Sequence, residues 1–468
     1  MSPNRDSRLP NFSADTSSTA QASPRPLTRR ARFWRRAGRI LQGCLLAGIG
    51  TYYAANLTAS WQLHNALADV EQRGEPLQFS KVVPGFIPES RNAAPVYLHA
   101  ADALVLTDTE REELGVSGDT QGNADLLAKN RTAIELTRQA AALPECRFPI
   151  HYDQENLAGI LLPHLGKVRR LAEIVSAQAQ SEARAGQTEA ALDDVAVIFR
   201  MSEHLTPEPI LISCMTAVAI ERLGDTTLAH VLQNVKLSPA QAHAFSLRLS
   251  HTDWSAVVRQ DLKGERCFGL WAFQYVSNPL QASQLANGTG EPTNNPLSKV
   301  LSVLWAPFWK MDEVYYLQAM DQRTELLQVP GASLDSDEVF IRDLPWYAIC
   351  TRIMLPSLPA VGKKRDQVVD YRRMALAALA INAYRTTTGH YPADLHEAEA
   401  AWGSALPRDL YTDQPFVYKA DGETMALYSI GPNRKDDGGT KKTEPQGGGE
   451  HSPPAKAPSK QEADDLAW

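Results

Sequence analysis

The sequence predicts a mainly α-helical protein with a transmembrane helix near its amino terminus, a body of helical hairpins and a small α+β domain near its carboxyl end. Three observations carry this reading. An uncharged apolar stretch follows an arginine-rich head. Apolar residues then recur at helical spacing through most of the chain. Two short alternating segments flank an Asp-Gly turn close to the end. The 468 residues suffice for two or three domains. The expected division is 1–39 as a disordered basic tail, 40–61 as the membrane helix, 62–345 as the helical body, 346–439 as the α+β domain, and 440–468 as a disordered tail.

The head holds nine arginines against Asp6 and Asp15, while the whole chain carries a net charge of −7. A basic head on an acidic body marks either nucleic-acid contact or the cytoplasmic end of a membrane protein. The next residues decide between them. No Asp, Glu, Lys or Arg lies between Arg39 and Asp69. The apolar part, Ile40 to Trp61, matches the roughly 20 residues a bilayer core requires. Tyr52, Tyr53 and Trp61 suit the far interface, and the arginines on the near side assign the amino terminus to the cytoplasm and the body to the periplasmic, extracytoplasmic side of the inner membrane. The alternatives are a buried soluble helix and a cleaved signal peptide, whose apolar region runs only ~7–15 residues. The membrane reading uses up the arginines, so no nucleic-acid partner is expected. Cys44, Cys146, Cys214, Cys267 and Cys350 form no Cys-x-x-Cys pair, and buried free thiols are expected, with one or two disulfides as the alternative in an exported body.

Along the body, 62–79 continues the first helix, and the proline-punctuated 80–90 connects it to a helix begun by "NAAPVYLHAADAL". Residues 124–142 carry a helical period. In 162–205, Pro163 suits a first turn, Gly186 stops one long amphipathic helix, and Thr188 caps a second. This hairpin, around "ARAGQTEAALDD", resembles a single tetratricopeptide-type unit, without a repeat near 34 residues on either side. Helices follow from Pro209 to Leu232, from a capping box at Ser238, Pro239 and Gln241, and over 253–276 and 299–328. Polar loops are expected at 277–298 and 329–343. The apolar run 344–361 contains Arg352 and three prolines, so it reads as buried or interfacial, not as a second span.

From Asp366 a helix runs to a stop at Gly389. "HYPADLHEA" begins a short helix, and "PFVYK" and "MALYSI" alternate as a hairpin around Asp421–Gly422. The segments "AINAYRTTTGHYPADL", "DLYTDQPFVYKADG" and "LYSIGPNRKDDGG" together resemble the carboxy-terminal domain of the type II secretion major pseudopilin, over residues 366–439. The resemblance implies a calcium-binding loop. Asp436 and Asp437 match its acidic positions, Asn433 stands where an aspartate is expected, and Arg434 adds a positive charge beside it. Unlike a pseudopilin, this chain lacks the pilin processing motif and places a helical body between anchor and domain. As a whole it resembles large, membrane-anchored, mostly helical bacterial proteins of unknown function.

No phosphate-binding glycine loop, zinc-protease motif or nucleophile elbow is present. His390, Asp394, His396, Glu397 and Glu399 are dense but lack ligand spacing, and read as a polar surface. The functional expectation is a non-enzymatic scaffold of the cell envelope, with the membrane and envelope or secretion proteins as partners. An envelope enzyme with an unrecognised site is the alternative.

Overall fold

A computed structural model describes residues 29–107, 110, 120–152, 160–249, 251–278, 296–327, 343–355, 358–422, 424–439 and 466–468. Of the expected tails at 1–39 and 440–468, residues 1–28 and 440–465 lie outside the described residues, as do most of the two polar loops, while 29–39 is helical where disorder was expected. The chain divides into two units, Met1–Leu57 and Thr58–Trp468.

The described part of the first unit is one helix, the start of α1 (Arg29–Gln72). Ile40, Leu41, Leu45, Leu46, Ile49, Tyr53 and Leu57 are all exposed on it, Leu41 to 72%. The helix expected over 40–61 is therefore present. The hydropathy expected of it is not: no helix among the described residues is long and apolar enough to cross a membrane. Gln42, Asn56 and glycines 43, 48 and 50 dilute the stretch. α1 ends at Gln72, short of residue 79, because Gly74 turns the chain at φ +73°.

The second unit begins inside α1 and continues through α2 (Ala94–Asp102), α3 (Thr120–Lys129) and α4 (Arg131–Ala141). The sequence showed one period over 124–142, but Asn130 breaks it. Its buried amide donates to the Val105 and Leu126 carbonyls and accepts from the Val105 amide, so it holds the preceding loop instead of continuing the helix. The hairpin follows as α5 (Pro163–Arg184) and α6 (Thr188–Leu205), joined at Gly186 with φ +74°. Thr188 is the first helical residue, not the cap; Gln187 takes that position without a side-chain bond.

α7 (Leu211–Asn234) packs on both hairpin helices, and α8 (Pro239–Ser246) opens with the expected capping box. α9 (Trp254–Ser277) pairs with α10 (Pro296–Leu326), which carries Pro307 inside it, and α11 (Ile349–Met354) lies against α10. α12 (Leu358–Thr388) ends at Gly389, and α13 (Leu395–Trp402) follows. The strands β1 (Val417–Ala420) and β2 (Met425–Ser429) pair antiparallel, Val417 opposite Tyr428.

A third strand, β3 (Leu466–Ala467), pairs with β2, and the Trp468 amide donates to the Leu427 carbonyl at 2.9 Å. The extreme carboxyl end is thus ordered onto the sheet, where a disordered tail was expected. The expected boundary at 345/346 falls inside the second unit. One apolar core contains Leu192, Phe199 and Leu228 of the body together with Met374, Leu379 and Leu427 of the carboxy-terminal part.

Candidate functional site

In the loop after β2, Asn433, Asp436 and Asp437 commit polar atoms to the loop and to the strand before it. Asp436 accepts from the Gly438 amide at 2.9 Å and the Tyr428 hydroxyl at 3.0 Å, and these bonds, the amide first, hold its carboxyl below the ordinary value. Asn433 donates to Asp437 at 2.7 Å and accepts from the Lys435 amide, while the Lys435 ammonium stands 3.4 Å from Asp437. Arg434 adopts φ +54° to make this turn. Among the described residues, no group of three or more His, Cys, Asp or Glu side chains is placed to hold a metal ion. The dense polar run before it is structural: Asp394 caps α13 through the Glu397 amide, and Glu397 returns to the Ala393 amide and the Tyr384 hydroxyl.

Sequence reasoning missed the residue that organises this end. Asp409 accepts from the Tyr411 and Thr412 amides with one oxygen and from the Ile430 amide with the other. It fixes the approach to β1 and the exit from β2 at once. The only local signal was an Asp two residues before a tyrosine in a turn-rich stretch.

A groove of about 490 Å³ lies across α4, α5 and α6. Its lining is charged and internally paired. The Arg138 guanidinium donates to both oxygens of fully buried Asp194, each at 2.7 Å, and to Glu182 at 3.0 Å. Burial pushes the Asp194 carboxyl up to about 6 although Arg138 opposes it. Arg248 meets Asp193 at 2.7 Å, and Arg200 bonds Glu203 and the Pro144 carbonyl. Apart from Arg200 and Glu203, three residues apart, these partners come from positions 44 to 56 residues apart in sequence. No nucleophile stands beside a base in this lining.

A second cleft, about 380 Å³, is apolar, lined by Phe79, Ile160, Leu162, Ile210 and Phe268 with the Glu265 carboxyl, which burial raises. Other shifted acids are sealed in the core. Glu221 and Asp225 meet Arg372 between α7 and α12, and Asp261, raised well above its ordinary value by burial, lies against the Cys214 thiol. Glu208 bridges His164 and Ser213 in the interior: its carboxylate accepts from the Ser213 hydroxyl and meets the His164 ring, so the carboxylate, not the imidazole, is the group beside the serine. Cys146, Cys214 and Cys267 are buried free thiols pushed up by burial, as inert thiols are. No family model matches this chain, and no curated protein or solved structure matches it either.

Proposed function

We propose that this chain is a membrane-anchored, non-enzymatic scaffold of the cell envelope, with the arginine head on the cytoplasmic face and the helical body on the other. The observation that carries the reading is α1. Its large apolar residues between Ile40 and Leu57 are exposed and no charge interrupts them, a surface that water does not favour and lipid does. The body supports the scaffold half. The groove across α4, α5 and α6 is a field of already paired charges, and the strongly shifted Glu221 and Asp261 are buried. The carboxy-terminal unit, whose sequence resembles a pseudopilin domain, offers a docking face for envelope or secretion proteins.

The test is a full-length chain with alkaline phosphatase joined to its carboxyl end through a flexible linker, assayed in intact cells and in fractions. Activity with retention in the membrane fraction is expected. Release of an intact fusion into the soluble fraction overturns the anchor, and an inactive, membrane-bound fusion overturns the orientation. One observation favours an enzyme instead: Glu265, a raised carboxyl in an apolar cleft. Co-purification that survives Glu265→Gln supports the scaffold.

A further inference from the structure

The second unit exposes large apolar side chains unevenly. Among its described residues, Phe86, Val105, Leu161, Ile212 and Leu247 are dispersed along the chain. Val300, Val303 and Leu304 lie instead on α10, and Trp346, Ile349 and Ile353 at α11, which packs against α10, with Trp346 69% and Ile353 73% exposed. Scattered exposed apolar residues are ordinary, whereas a contiguous patch marks an interaction surface.

The patch is held rigidly. Trp305 and Phe308 lie 5.7 and 5.8 Å from Trp346, centroid to centroid, and Phe308 lies 5.2 Å from Tyr347. Fully buried Asp312 accepts from the Cys350 and Thr351 amides, capping α11 and fixing it to α10. The patch also has a defined place. Lys310 donates to Ser60 at 2.8 Å, and Arg73 meets Asp321 at 2.5 Å. Ser60 to Arg73 and Lys310 to Asp321 therefore run the same way along their helices. Lys310 thus marks the end of the second unit at which that unit begins, at Thr58, and which also carries exposed Trp61.

We propose that this patch is a second lipid contact, seated shallowly in the headgroup–acyl boundary of an anionic membrane beside the entry of α1. The proposal rests on the reading of α1 as the anchor. The chemistry fits lipid in three ways. The run 300–309 carries no charged residue, and Arg352 is exposed beside Ile353, which sets a cation next to the apolar surface on a protein of net negative charge. The rings at its heart are tryptophan and tyrosine, the residues that favour the interfacial layer. α1 falls short of the hydropathy a lone crossing helix needs, and a second contact at the same end supplies additional apolar area.

The test uses the full chain in vesicles of phosphatidylcholine and phosphatidylglycerol, with a fluorescent label on single reactive cysteines and nitroxide lipids as quenchers. Native Cys44 reports on α1. In a Cys44→Ser, Cys350→Ser background, Ile353→Cys or Val303→Cys reports on the patch, and Ile212→Cys is the control. A shallow nitroxide is expected to quench both patch labels at least two-fold more than the control. Quenching at Cys44 with patch labels behaving like the control overturns the second contact and leaves the anchor standing. Quenching at neither place overturns both. Quenching at the patch alone supports the contact and overturns the anchor.

Discussion

The guanidinium of Arg372 on α12 meets the carboxylate of Glu221 on α7 inside the protein, beneath the Phe199 ring and beside Asp225. Both acids are 1% exposed, and Arg372 stands against the two of them. Removing a buried cation leaves uncompensated charge, which costs about 3–5 kcal/mol, while replacing the whole group by neutral residues is often neutral. Arg372→Met is therefore expected to lose about that much stability in urea denaturation at ~pH 9, above the value of about 8 to which burial pushes Glu221, and less near neutrality, where Glu221 holds its proton. Adding Glu221→Gln and Asp225→Asn should recover most of it. A loss below about 1 kcal/mol in the single variant would show that the acids are already neutral there.

The buried acids also set the pH response. Burial pushes Glu221 up to about 8, Asp370 up to about 7 and Asp225 up to about 6. Unfolded carboxyls titrate near ~4. Between those limits the folded chain holds protons that the unfolded chain releases, so stability is full at low pH and is lost as pH rises through the folded values. His204 acts oppositely, since burial lowers it to about 4, but its contribution is complete above its ordinary value. The melting temperature is expected to fall by a few degrees between ~pH 6.5 and ~pH 8.5 at fixed ionic strength, and Glu221→Gln should flatten the slope. A flat or rising wild-type profile would refute this.

The helices were legible where a local signal governs them. Ser238, Pro239 and Gln241 form the capping box their spacing announced, and Gly186 and Gly389 stop helices at positive φ. What was hidden depends on distant partners. Asn130 looks like a helical residue until Val105 claims its side chain, and α12 starts at Leu358 instead of Asp366, ahead of the first charged residues. The candidate loop was legible as a cluster, because its three residues are near neighbours in sequence. Its internal bonds were not, because Tyr428 and Gly438 supply them from a strand and a turn. The run 344–361 read as buried or interfacial, and in the structure it is divided: Leu344, Ala348 and Leu355 are buried while Trp346 and Ile353 are exposed.

Gly224, Gly264 and Gly269 each lie against a neighbouring element, and at Gly264 that neighbour is backbone. A Cβ there would collide with the backbone carbonyl of Pro209, which cannot move aside as a side chain does. Gly166 in α5 has open space around its Cβ position. Gly264→Ala is expected to cost ~3 kcal/mol or more, against the 1–3 kcal/mol typical of overpacking. Gly166→Ala should be neutral or stabilise by up to ~1 kcal/mol through helix propensity. Thermal melts of the two variants give the comparison, and equal behaviour would mean that the α9 approach to Pro209 is looser than described.

The loop that resembles a calcium site has its acceptor oxygens engaged. A calcium ion needs six to eight oxygens, and binding weakens as ligand charge falls. Here Asn433 offers its amide nitrogen to Asp437, and the Lys435 ammonium approaches the same carboxylate. Calcium would compete with both interactions for the Asp437 carboxylate. Millimolar calcium is therefore expected to leave the wild-type melting temperature within about a degree. Asn433→Asp replaces the donor with a carboxylate facing Asp437, so without calcium it should lower stability through like-charge repulsion. With calcium, the added charge should reverse the loss, and Lys435→Ala should increase the response. Calorimetric titration of the full chain separates these outcomes. A strong wild-type response would mean that the loop rearranges around the ion and that Asn433 ligates through its oxygen. No response in Asn433→Asp would leave Asn433, Asp436 and Asp437 as a turn that closes the sheet.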